Sequence, residues 1–175
     1  MTEPQTNARR GFLKVVFGAC SAGIAAAVAV PGVAYLLDPL IRHTKAVGGF
    51  FSLGSVKDLR TDTPTAVPVI GELVDQWMRA PEQMLGTVWL RKGKDDGVVA
   101  LSAECPHLGC RVNYDEAKKN FQCPCHNSAF SLDGTVLYGP CARAMDTLEA
   151  KVEGGQVKVR FQRFQTQIKE KIEVG

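Results

Sequence analysis

The chain has 175 residues, 22% of them charged and 45% hydrophobic, with a net charge of +3 and six cysteines. So small and dispersed a positive charge argues against nucleic-acid binding, which leaves a clustered basic face. Once a tail and one helix are set aside, about 125 residues remain, enough for one hydrophobic core, and six cysteines suit an oxidising compartment where a disulfide persists.

Residues 1–14 form a polar tail ending in Ala8-Arg9-Arg10-Gly11-Phe12-Leu13-Lys14. This stretch resembles the twin-arginine export signal and departs from its usual form only at the leading Ala8. Val15 to Leu37 then runs 23 residues without a charge. At about 1.5 Å per residue that is roughly 34 Å of helix, enough to cross the hydrocarbon core. Small residues in Gly18-Ala19-Cys20-Ser21-Ala22-Gly23 allow close packing on a neighbouring membrane helix, with Cys20 an inert small residue, and Pro31-Gly32 marks a kink position. A cleaved signal peptide is the alternative, with Ala27-Val28-Ala29 as its processing site. The run is longer than the roughly 7–15 residues of a signal core, which favours a retained anchor. Arg9, Arg10 and Lys14 favour a cytoplasmic N-terminus. Arg42 and Lys45 on the far side weaken that argument, so the export signal decides it. The expectation is a single pass through a bacterial cytoplasmic membrane, surrounded by lipid, with the C-terminal domain on the periplasmic face.

Residues 38–49 hold Pro39, His43 and Gly48-Gly49 and read as a hinge or an ordinary connector, His43 being a surface residue of it. From residue 50 to 175 the pattern is mostly β. Thr87-Val-Trp-Leu-Arg91 and Val98-Val-Ala-Leu-Ser102 predict strands around the turn-rich Lys92 to Gly97, while Glu72 to Met78 suits a strand or a short helix. Leu148, Ala150 and Val152 alternate with polar residues, Gly154-Gly155 follows, and Val157, Val159 and Phe161 alternate again. This predicts a hairpin with a two-glycine turn. Trp77, Trp89 and Phe161 read as core residues.

The chemistry lies in two segments, Cys105-Pro-His107-Leu-Gly-Cys110 and Cys123-Pro-Cys125-His126. Each offers one thiolate and one imidazole, as Cys-x-His and Cys-x-x-His, with residues 108–122 between His107 and Cys123 and one further cysteine in each segment. Three readings compete. Structural zinc accepts two Cys and two His, but zinc fingers usually present a Cys pair and then a His pair, and zinc leaves Cys110 and Cys125 unexplained. Ordinary structural cysteines with incidental disulfides are the second. The third is a two-iron centre in which two cysteines hold one iron and two histidines the other.

The two segments resemble the cluster-binding loops of the Rieske iron–sulfur proteins. The resemblance implies one [2Fe–2S] cluster per chain, held by Cys105, His107, Cys123 and His126, with Cys110 and Cys125 joined as a disulfide. That extra cysteine pair is similar to the quinol-oxidising branch rather than to most Rieske ferredoxins and ring-hydroxylating oxygenases. It also implies an all-β antiparallel sandwich or barrel with the cluster loops, 105–110 and 123–130, in a subdomain, behind one N-terminal transmembrane helix. A cluster acquired before crossing the membrane suits an exporter of folded cargo. Replacing two thiolates by neutral imidazoles lifts the cluster's charge from about −2 to near zero and its potential to roughly −150 to +300 mV. The imidazoles keep a second nitrogen that exchanges protons. By the resemblance, His126 hydrogen-bonds a quinol and Leu108 makes an apolar contact beside it; a loop-packing role is the plainer alternative for Leu108. The hinge would let the head swing between the quinol site and a haem.

Departures from the family pattern follow His126, where the usual Gly-Ser-x-Tyr is Asn127-Ser128-Ala129-Phe130. Asn is among the residues that best tolerate positive φ. Ser128 matches a serine that donates to a bridging sulfide. Phe130 stands where a tyrosine hydroxyl would donate to a ligand thiolate, and losing a charge-assisted bond of about 1.5–3 kcal/mol lowers a one-electron potential by roughly 60–130 mV. The centre is thus expected low in its class, suited to menaquinol. The loop 139–142, Gly139-Pro140-Cys141-Ala142, resembles the family's cover over the cluster but lacks its second proline, leaving Cys141 a free thiol near the centre. The resemblance implies a Rieske subunit of a quinol–cytochrome c (or plastocyanin) reductase, partnered by a cytochrome b and a c-type cytochrome. The alternative is the small Rieske subunit of an arsenite-oxidase-like molybdoenzyme.

Overall fold

The computed structural model describes residues 4–41, 49–74, 79–93 and 97–174. Trp77, His43, most of the linker 38–49 and the tip of the Lys92 to Gly97 turn lie outside the described residues. The chain divides into two compact units, Met1–His43 and Thr44–Gly175.

The first unit holds one helix, α1 (Pro4–Ile41), 38 residues long. It takes in the whole uncharged run, extends it at both ends, and stays helical through Pro31-Gly32, where the missing proline N–H costs the ladder one bond. Its stretch Ala8–Asp38 has a mean hydropathy of 2.0 and is long and apolar enough to cross a membrane. The side chains from Ala8 to Leu37 are exposed.

The second unit is built from antiparallel sheets. Strands β1 (Phe50–Ser55), β9 (Ala150–Glu153) and β10 (Gln156–Arg160) form one sheet in the order β1-β10-β9. Strands β2 (Thr65–Val74), β3 (Arg79–Lys92) and β4 (Val98–Ser102) form a second in the order β2-β3-β4. Between β4 and β9 the chain inserts a four-stranded sheet, β5 (Asn113–Asp115), β6 (Asn120–Cys123), β7 (Ser128–Phe130) and β8 (Val136–Tyr138), paired in chain order. A short pair, β11 (Arg163–Phe164) with β12 (Glu173–Val174), ends it.

Residues 72–74 are strand, so the helical option for that segment does not hold there. Pro68 sits inside β2 opposite Thr87. It is tolerated because β2 is the edge of its sheet, where a missing donor faces no neighbour. The predicted hairpin is present as β9–β10, with Glu153 opposite Gln156 and both Gly154 (φ 59) and Gly155 (φ 77) left-handed, the two-residue turn that glycine pairs favour. Val152 departs from the predicted alternation and is exposed, because β9 is the edge strand of its sheet, whereas its partner Val157 on the central β10 is fully buried.

Period-two alternation puts the central sheet between two cores. Val88 and Leu90 of β3, with Ala100 of β4, pack with Val69, Leu85, Leu148, Val157, Val159 and Phe161 into a base core. Trp89 and Leu101, one residue out of phase, turn to the other face and pack with Val112, Phe121, Phe130 and Met145 around Cys105 and Cys123. The Trp89 indole donates to the Val112 carbonyl at 3.0 Å, so the ring is packed and hydrogen-bonded at once. The inserted sheet is thereby seated on the base through one aromatic anchor.

Candidate metal centre

The first loop leaves β4 and closes tightly on itself. The Cys105 N–H donates to the Cys110 carbonyl at 2.8 Å, and the Gly109 N–H to the Cys105 carbonyl at 2.9 Å. Gly109 is left-handed (φ 74), as so short a turn demands. The second loop is the hairpin between β6 and β7, with Cys123 directly opposite Ser128. Asn127 in that hairpin has φ 51, so the residue read in the sequence as tolerant of this region does occupy it.

The loops bring four donors together in two pairs. Cys105 and Cys123 are buried thiols whose sulfurs interact. His107 and His126 stand edge to face, their ring centroids 4.7 Å apart, with His107 half-buried and His126 exposed. Cys110 and Cys125 form a disulfide that ties one loop to the other. Closing a loop of 15 residues contributes about 3 kcal/mol in the chain-entropy estimate. Leu108 is exposed beside His107; Ser128 and Phe130 are fully buried behind the thiols.

Burial first, and then the neighbouring Cys123 and Cys141 sulfurs, push the Cys105 thiol up to about 12, with the His107 backbone N–H pulling the other way. Such a thiol ionises when a cation takes its proton's place. The donor set also discriminates between metals. A tetrahedral zinc, with bonds of about 2.0–2.3 Å, draws its four ligand atoms to roughly 4 Å of one another. Among the described residues, the set of three Cys, His or carboxylate donors within 4.8 Å is Cys110, Cys123 and Cys125. Two of those are bonded to each other and cannot ligate. The thiol pair and the imidazole pair therefore do not close on one ion. They fit a two-metal group that takes sulfur at one end and nitrogen at the other.

The loop after β8 covers this arrangement. Gly139 has φ 110, and a Cβ built there would meet the Ser128 Cα and Oγ at 2.5 Å. Pro140 is exposed next to it, and Cys141 is a half-buried free thiol, 3.5 Å from the Cys105 sulfur and 3.3 Å from the Ser128 hydroxyl.

Two supports carry no motif in the sequence. Arg143, two residues past Cys141, donates from Nε and Nη2 to both carboxylate oxygens of Asp146 at 2.9 and 2.8 Å, and from Nη1 to the Ile168 carbonyl at 2.8 Å. The C-terminal segment also reaches the first loop, where the Gln167 N–H donates to the Pro106 carbonyl at 2.9 Å.

A family model described as the Rieske [2Fe-2S] domain matches residues 49–154. The menaquinol:cytochrome c reductase iron-sulfur subunit of Bacillus subtilis is 34% identical over 151 residues, which is 84% of this chain and 87% of that one. The cytochrome b6-f complex iron-sulfur subunit of Chlorobaculum tepidum is 28% identical over 160 residues, 86% of this chain and 74% of that one. The crystal structure of the plasma membrane Rieske protein of the cyanobacterium Synechocystis is 27% identical, covers 63% of this chain and 99% of that one, and superposes with a TM-score of 0.47. The domain match over more than half of the length, and a relative 34% identical along most of both chains, place this protein in the family of Rieske [2Fe–2S] iron–sulfur proteins.

Proposed function

We propose that this chain is the Rieske subunit of a quinol:cytochrome c reductase, anchored by α1 in a bacterial cytoplasmic membrane with its β domain on the periplasmic face. In this reading Cys105 and Cys123 hold one iron and His107 and His126 the other. The chain takes one electron from a quinol, menaquinol by preference, and passes it to a c-type cytochrome while a cytochrome b takes the second. The observation that carries the reading is the pairing of buried thiols with an exposed imidazole, in a chain whose relatives include a menaquinol:cytochrome c reductase subunit.

When bound, the cluster supplies one-electron acceptance at a potential raised by its two neutral ligands. The residues do the rest. His126 lies exposed, and its second ring nitrogen accepts a hydrogen bond from a quinol hydroxyl and then holds the proton. Leu108, also exposed, offers the apolar contact for the quinol ring. The Cys110–Cys125 disulfide keeps the two loops, and so the two imidazoles, in register. Buried Cys105 and Cys123 keep water from the sulfur end.

The electron paramagnetic resonance spectrum of reduced membranes, recorded with and without a quinol-site inhibitor, tests this directly. The expected result is a two-iron signal whose shape the inhibitor changes, with cytochrome b haem co-purifying with the chain. An inhibitor-blind signal with molybdenum in place of haem overturns the reading.

Phe130 accounts for the preference for menaquinol. Its ring is fully buried in the same core as Cys105 and Cys123 and has no donor to give them. Phe130→Tyr is expected to raise the midpoint potential by roughly 60–130 mV, from a charge-assisted bond of about 1.5–3 kcal/mol. A redox titration that shows no rise refutes that account of the tuning.

A further inference from the structure

Three free thiols meet at the covered side of the centre. Cys105 and Cys123 are the proposed ligands; the third, Cys141, comes from the cover loop and has no part in ligation. Its sulfur touches two groups, the Cys105 sulfur at 3.5 Å and the Ser128 hydroxyl at 3.3 Å. We propose that the Cys141 thiol donates a hydrogen bond to the Cys105 sulfur and thereby helps to set the reduction potential of the centre. The inference rests on Cys105 being a thiolate ligand.

Which of the two sulfurs donates follows from chemistry. A ligating cysteine has given up its proton, so within the pair only Cys141 has a hydrogen to offer. It must choose between a neutral hydroxyl and an anionic sulfur, and the charge-assisted bond is the stronger. Ser128 is then free to send its own proton elsewhere. Phe130, buried in the same core, competes for neither acceptor.

Geometry holds the donor in place. Gly139 lets the cover loop approach within a distance of Ser128 that any side chain would forbid. Two residues beyond Cys141, the fork of Arg143 fixes the outgoing strand of the loop to Asp146 and to the Ile168 carbonyl. Cys141 sits between these two fixed points. A hydrogen bond to a ligand sulfur draws charge from it and favours the reduced state, so the potential rises with it. Cys141 is thus a positioning residue that acts through Cys105.

The test uses the full chain, purified in detergent with its cluster, in a Cys20→Ala background so that Cys141 is the free thiol outside the ligand pair. Cys141→Ala is expected to lower the equilibrium constant for reduction by about threefold to tenfold, which is about 28–59 mV for one electron. Cys141→Ser, which keeps a donor, recovers at least half of that loss. The iron–sulfur(Cys) stretching band in resonance Raman shifts in deuterated water in the native chain and in Cys141→Ser, and shifts less in Cys141→Ala, where the His107 backbone N–H is the exchangeable donor that remains on Cys105. Should Cys141→Ala fail to load a cluster, capping Cys141 with methyl methanethiosulfonate on the already loaded chain, with the position checked by mass spectrometry, removes the donor without refolding and lowers the potential in the same way. An unchanged potential after either removal, a serine variant no higher than alanine, or a deuterium shift as large in Cys141→Ala as in the native chain overturns the proposal. Cys105→Ser serves as the separate check on the ligand. A native two-iron signal in that variant removes the ligand assignment and this inference with it, whereas with an altered or lost signal the potentials alone decide the role of Cys141.

Discussion

Gly139→Ala is expected to destabilise the β domain by about 2–6 kcal/mol, against about 1–3 kcal/mol for Gly109→Ala. The two glycines make a controlled pair. Both are left-handed, Gly139 at φ 110 and Gly109 at φ 74, so an added side chain strains either backbone by roughly 1–3 kcal/mol. They differ in what a Cβ would strike. At Gly109 nothing lies within 4 Å, whereas at Gly139 the Cβ falls 2.5 Å from the Ser128 Cα and Oγ and 2.7 Å from its Cβ. Backbone cannot step aside as the end of a flexible side chain can, so overpacking adds about 1–3 kcal/mol more. The damage is also directed. Ser128 pairs across the hairpin with Cys123, a proposed ligand, so displacing one pulls on the other. Denaturant unfolding followed by Trp fluorescence gives the stabilities, and the yield of two-iron signal per chain reports the site. Equal costs at the two positions would mean that the approach to Ser128 is not what requires glycine at 139.

What the sequence made legible divides by the range of the interaction. The Gly154-Gly155 turn announces itself because two adjacent glycines at positive φ are a local solution to a local problem. The strands at Thr87–Arg91 and Val98–Ser102 are legible for the same reason, period-two apolarity, and that alternation also divides Val88 and Leu90 from Trp89 between two cores. The Cys110–Cys125 disulfide was expected only through the family resemblance, because spacing alone does not choose among six cysteines. Val152 misled because its place in an alternation says nothing of whether its strand lies at the edge or the centre of the sheet. The place of Pro68 inside β2 was not legible, because a proline within a strand is admitted chiefly at an edge and edge position is a property of the whole sheet. Cys141 was legible as a thiol close to the centre, but its contact with Cys105 depends on a loop 36 residues downstream in the chain. Least legible were Arg143 with Asp146 and the tail at Gln167, whose partners share no motif.

Arg143→Ala is expected to cost about 3–5 kcal/mol, more than Arg143→Lys and far more than the paired replacement Arg143→Leu with Asp146→Leu. Arg143 and Asp146 are among the least exposed charged side chains of the domain, at 9% and 7% exposure of their side chains. Desolvation cancels much of what two such charges gain from each other, so the pair as a whole adds little. Removing one partner is another matter. It leaves the Asp146 carboxylate buried without its two donors and the Ile168 carbonyl without its own. Lysine restores the charge but has no fork, and cannot bond both carboxylate oxygens and a carbonyl from one planar group. Asp146 meanwhile accepts the Ser102 N–H through its backbone at 2.8 Å, so the strain of an unpaired carboxylate is passed to the end of β4, just before Cys105. The measurement is a set of four denaturation midpoints, native, each single replacement by leucine, and the pair, closed as a double-mutant cycle. A coupling of about 2 kcal/mol or more is the expected outcome. Independent costs that simply add would show that the fork does not hold the outgoing end of the cover loop, and that Cys141 is kept beside Cys105 by Gly139 alone.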